Sequence, residues 1–122
     1  MSAFDVPDDV ARAYRLELFQ DHLTLERGSA DTTREAYGRD VARFALFARV
    51  SGAATPADAT PRALREFVFH LKDLGLAPSS IRRTVSAVRT YYRFLVSEGH
   101  VAKDPSERLE TPKRWRTLPE VL

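Results

Sequence analysis

The chain has 122 residues, 43% hydrophobic and 10% aromatic, enough for one domain with a filled core, which excludes wholesale disorder. It has no cysteine, so disulfides and cysteine-ligated metal are excluded, and a reducing, cytoplasmic setting is expected. The net charge is only +2, but residues 1–74 hold 10 Lys and Arg against 12 Asp and Glu, whereas residues 75–122 hold 9 against 5, which places the expected anionic partner at the C-terminal part.

No apolar run approaches the roughly 18–20 residues of a membrane span. The N-terminus, MSAFDVPDD, is acidic and lacks the basic and apolar regions of a secretory signal. Neither a membrane nor a small-molecule ligand is expected as a partner. Residues 1–7 read as a flexible tail, and a helical domain is expected over residues 8–110.

Asp8 or Asp9 can cap a first helix that runs to about Arg27 and stops at Gly28. Its apolar residues, from Val10 to Leu25, are spread widely enough to meet more than one neighbour. A second helix is expected to start near Thr32 or Thr33 and to run to about Val50. Tyr37, Val41, Phe44 and Ala48 form its inner stripe, with Phe47 at the flank. Thr32, Glu35, Arg39 and Arg43 fall on the outer side, with Arg34 nearer the margin. Gly38 lies mid-helix, at about 1 kcal/mol less favourable than Ala. It marks either the close approach of another group or a plain surface site.

Residues 51–59, SGAATPADA, read as a loop. Thr60-Pro61 opens a third helix with a capping hydroxyl and a proline at the first position. Leu64, Phe67, Val68 and Leu71 form its apolar stripe, and Gly75 ends it. The fourth helix, SSIRRTVSAVRTYYRFLVSEG, carries the strongest signal. Ile81, Val85, Val88, Tyr92 and Leu95 make a narrow buried stripe, widened by Thr84, Tyr91 and Val96. Ser79, Arg83, Ser86, Ala87 and Thr90 lie opposite, with Arg82 and Arg93 at one margin. From Ser79 to Ser97 there are four arginines and no acid. Solvated helices usually mix both signs of charge. This face is suited to an anion, although a plain arginine-rich surface helix reads the same way from this stretch alone.

Asp104-Pro105-Ser106-Glu107 suggests a brief fifth helix through Leu109. The tail TPKRWRTLPEVL, with two prolines and with Lys113, Arg114 and Arg116 around Trp115, reads as an extended basic linker able to follow a phosphate backbone. Trp115 suits a packing anchor as well as a base contact. The chain stops as a boundary within a longer protein would. There is no strand pattern, so the fold class is all-α.

No chemistry is expected of the chain alone. His22, His70 and His100 lack partners at metal-ligand spacing and read as rim histidines. No glycine-rich phosphate loop is present. Ser29, Ser79 and Ser80 read as helix caps, because no base is placed to activate them. Tyr91 and Tyr92 face the core. No metal and no cofactor is expected.

The order E-R-G-x-S/A-x-x-T, Y-x-x-D, S-x-x-R-x-x-S-A-x-R-x-x-Y-x-F-L, D-P-S, P-K and L-P, spread over residues 16–122, resembles the N-terminal core-binding domain of tyrosine recombinases. The likeness is greatest to bacterial Xer chromosome-dimer resolvases and related integrases. The resemblance implies a four-to-five-helix orthogonal, SAM-like bundle that clamps a duplex DNA half-site through its second and fourth helices. It implies DNA contacts from Thr32, Arg34, Glu35 and Gly38, and from Ser79, Arg83, Ser86 and Ala87, to which the outer faces add Arg39, Arg82 and Thr90, with base edges expected to be met by Arg83 beside Ser79 and Glu35. Lys113, Arg114 and Arg116, with Arg89 and Arg93, would meet phosphates. Glu35 departs from the neutral or basic residue the resemblance suggests. It also implies other recombinase protomers as partners, and a separate catalytic domain joined through the linker at 111–122. The alternatives are a helical protein-interaction module and an enzyme in its own right.

Overall fold

The computed structural model describes residues 4–26 and 30–111. Its helices are α1 (Asp8–Ala13), α2 (Leu16–Leu25), α3 (Asp31–Val50), α4 (Pro61–Asp73) and α5 (Pro78–Ser97), with one 3₁₀ turn at Pro56–Asp58. No strand occurs among the described residues, so the fold is all-α.

The expected first helix is in fact two. The break falls at Tyr14 and Arg15, and Arg15 adopts the left-handed region at φ 53°. The cause is tertiary. The Tyr91 hydroxyl donates to the Tyr14 carbonyl at 2.6 Å, and the Tyr14 hydroxyl donates to the Ala53 carbonyl at 2.5 Å. The hydroxyl and the carbonyl of this fully buried tyrosine are thus held by distant parts of the chain, and the helix yields at the next residue. A left-handed non-glycine residue costs roughly 1–2 kcal/mol. Arg15 is exposed. Arg15→Gly should therefore stabilise by up to about 1 kcal/mol, after the entropy lost by glycine. A lower urea midpoint would contradict this account of the break.

Other ends of the elements also differ from expectation. Val6 is buried and Phe4 packs on the core, so residues 4–7 are part of the fold and not a loose tail. Pro7 precedes α1, and neither Asp8 nor Asp9 caps it. Asp9 instead accepts a hydrogen bond from Arg49 of α3 at 2.7 Å, which holds its carboxyl below the usual range. Ala30 and Ala77 stand at the N-caps of α3 and α5, and no side chain caps either helix. Ser79 and Ser80 lie inside the first turn of α5 and are not caps. Thr60 does cap α4, accepting from the Ala63 amide at 3.1 Å. The expected fifth helix is a turn: Asp104 Oδ1 accepts from the Ser106 amide at 2.8 Å and its hydroxyl at 2.6 Å.

α3 runs through the middle and packs against all four other helices, most closely against α5. Its Val41, Phe44, Ala45 and Ala48 are fully or almost fully buried. Phe44 meets the rings of Tyr14, Phe67, Tyr91 and Tyr92 edge-on, with centroids 5.4–6.5 Å away. The Tyr92 hydroxyl donates to the Pro56 carbonyl at 2.8 Å and fastens the α3–α4 loop to α5. Val96, expected in the buried stripe of α5, is 38% exposed, and Phe94 is buried in its stead.

Candidate nucleic-acid interface

The outer side of α3 is where periodicity puts it. Thr32, Glu35, Arg39 and Arg43 are all exposed. On α5, Ser79, Arg82, Ser86 and Arg93 are exposed and Thr90 is half-buried. Four arginines therefore project from two helices that pack directly on one another.

The seam between these helices holds a feature that periodicity does not give. Arg83 Nε donates to Asp40 Oδ2 at 2.8 Å, and Nη2 donates to Oδ1 at 3.0 Å. The Asp40 side chain is 2% exposed and that of Arg83 is 43% exposed. A carboxylate this deeply buried requires a partner, and the guanidinium fork supplies a bidentate one. These hydrogen bonds hold the Arg83 pKa above its ordinary value. The outer face of α5 has no carboxylate of its own, but one reaches its edge from α3. Asp40 is the acid of the Y-x-x-D motif, but it is not among the contact residues expected from the sequence. Beyond that motif, its signal in the sequence is a lone acid at the margin of a buried stripe.

Several expected contacts are corrected. Ala87 is fully buried, on the core side of α5 rather than its outer face. Gly38 is buried too, and the end of the Gln20 side chain, from α2, lies where a Cβ would stand. Arg34 is half-buried and ion-paired with Asp31. Arg89 is half-buried and donates from Nη1 to the Leu109 carbonyl at 3.2 Å, which ties α5 to the segment that follows it. Lys113, Arg114 and Arg116, with Trp115 and Gly28, lie outside the described residues. The three histidines are half-buried at the rim. His22 stacks on Phe94 at 4.5 Å, with Glu26 3.7 Å away.

Residues 16–99, from the start of α2 to just beyond α5, match the family described as phage integrase, N-terminal SAM-like domain. The chain belongs to this family. The SAM-like domain is 38% identical to the tyrosine recombinase XerD of Chlorobaculum tepidum over 107 residues, 88% of this chain and 35% of that protein. It is 39% identical to the XerD of Rhizobium meliloti over 114 residues, 93% of this chain and 36% of that protein. The tyrosine recombinase XerC of Xanthomonas campestris pv. campestris is 38% identical over 107 residues, 88% and 33% of the two chains. The SAM-like domain thus spans about a third of the length of these relatives. No solved structure matches it. Among the described residues, no helix of the SAM-like domain is long and apolar enough to cross a membrane.

Proposed function

We propose that this SAM-like domain binds duplex DNA, laying the outer faces of α3 and α5 against one side of a half-site. The whole protein would be a cytoplasmic tyrosine recombinase, breaking and rejoining DNA through a 3′-phosphotyrosine and working with other protomers. The helical domain would extend to residue 110, and residues 111–122 would join it to the catalytic part. The observation that carries the reading is the placement of the cations. Arg39 and Arg43 on α3, and Arg82 and Arg93 on α5, are exposed on two helices held together by the Asp40–Arg83 bridge.

Each of these arginines can meet a phosphate, and arginine or the hydroxyls of Thr32, Ser79 and Ser86 can reach base edges. Ala30 and Ala77 stand at the N-caps of α3 and α5 with no side-chain oxygen to occupy the first-turn amides, which suits these amides to phosphate as well. Glu35 is exposed among the cations and suits a cytosine amino group.

The test is anisotropy titration of a labelled duplex at several salt concentrations. Arg82→Ala should weaken all sequences alike and flatten the slope of log K against log salt by about 0.9. Lys113→Ala should behave in the same way. Binding that is insensitive to salt, or unchanged in both variants, would contradict the assignment.

A further inference from the structure

Resting on the DNA-binding reading above, we propose that Asp40 is a positioning residue that makes Arg83 a reader of base sequence rather than another phosphate cation. Two of the five guanidinium N–H groups, one on Nε and one on Nη2, are spent on the Asp40 carboxylate. The three that remain are both hydrogens of Nη1 and the second of Nη2. One hydrogen of Nη1 and one of Nη2 lie side by side along the Nη1/Nη2 edge, next to the edge that meets Asp40. The Asp40 side chain is 2% exposed and that of Arg83 is 43% exposed, so Arg83 still reaches solvent while it holds the bridge.

Two consequences follow from this geometry. The free Nη1/Nη2 edge presents two parallel N–H groups, the arrangement that matches the N7 and O6 acceptors of guanine. The fork is held before DNA arrives, so little side-chain freedom is lost on contact. The charge of the pair is also formally zero. Arg83 therefore adds little to the counterion release that drives phosphate binding, in contrast to the exposed Arg82 and Arg93 on the same helix. Attraction to any duplex and choice among duplexes are thereby assigned to different arginines.

The test uses the whole chain and two variants, with a randomised duplex pool as probe. Selection from the pool by the unchanged chain yields a preferred duplex. The ratio of its affinity to that of the unselected pool measures selectivity, and the salt dependence of pool binding gives the slope. Arg83→Met should lower the ratio roughly 5- to 150-fold and leave the slope unchanged. Asp40→Asn should lower the ratio as well, but steepen the slope by about 0.9, because a freed cation now meets phosphate. An Asp40→Asn chain with unchanged ratio and slope would reduce Asp40 to a structural role and overturn the proposal. An Arg83→Met chain with a flattened slope and an unchanged ratio would overturn it equally, and this exposed-side variant decides the matter if Asp40→Asn does not fold. Failure of the unchanged chain to bind the pool at low salt would sink the DNA reading itself, and this proposal with it.

Discussion

Phe44→Ala should cost about 3–5 kcal/mol of stability, a large part of the roughly 5–15 kcal/mol typical of a domain this size. Phe44 is fully buried on the central helix and touches rings from the α1–α2 break, α4 and α5. No other helix can close over the space it leaves without separating from α3. Its loss therefore leaves a cavity where three packing surfaces meet, and the cavity adds to the lost transfer energy. Thermal melting should fall by roughly 10–20 °C. Leu46→Ala on the same helix is the control. Leu46 is 39% exposed, so its truncation should stay within about 0.5 kcal/mol. Equal losses in the two variants would show that the centre of the domain has been misplaced.

Raising the pH above about 10 should unfold the domain cooperatively, with three tyrosines ionising together as helix is lost. Tyr14, Tyr91 and Tyr92 have no exposed surface, and each hydroxyl donates to a buried backbone carbonyl. Burial pushes Tyr14 up to about 12, and it pushes Tyr91 and Tyr92 up as well. The sign follows from proton counting. Unfolded tyrosines release their protons near pH 10, while the folded ones keep them. The stability is fully present below pH 10 and falls above it. The loss is about 1.4 kcal/mol per pH unit for each tyrosine, or about 4 kcal/mol per unit for all three. The contribution of Tyr14 is exhausted by about 12, where the folded group ionises too. Near-ultraviolet tyrosinate absorbance and helical circular dichroism should change together. Stepwise ionisation with the helices intact would contradict the burial of these hydroxyls.

The same tyrosines explain why part of the fold was legible in the sequence and part was not. Helices α3, α4 and α5 follow from local signals: apolar stripes at helical spacing, Thr60-Pro61, and Gly75 and Gly99 at their ends. α3 starts at Asp31, one or two residues before the expected Thr32 or Thr33. The break before Arg15 has no local cause, because Tyr91 lies 77 residues away in the chain. The turn at Asp104 replaces a helix because a short side chain captured the amide two residues on. At the candidate interface, periodicity located the exposed arginines correctly. It could not foresee that Gly38 faces Gln20, that Ala87 faces the core, or that Arg83 is met by a carboxylate from another helix. Each of these depends on where a second helix crosses, which one helical wheel does not contain.

Amide chemical-shift mapping with a short duplex is the most direct test of the interface. Binding through the proposed wall should move Thr32, Glu35, Arg39 and Arg43 on α3 together with Ser79, Arg82, Ser86 and Arg93 on α5, over one titration curve. Shifts confined to the groove of about 550 Å³ between α1 and α2, lined by Arg12, Arg15 and Leu18, would contradict it and point to a protein-docking module.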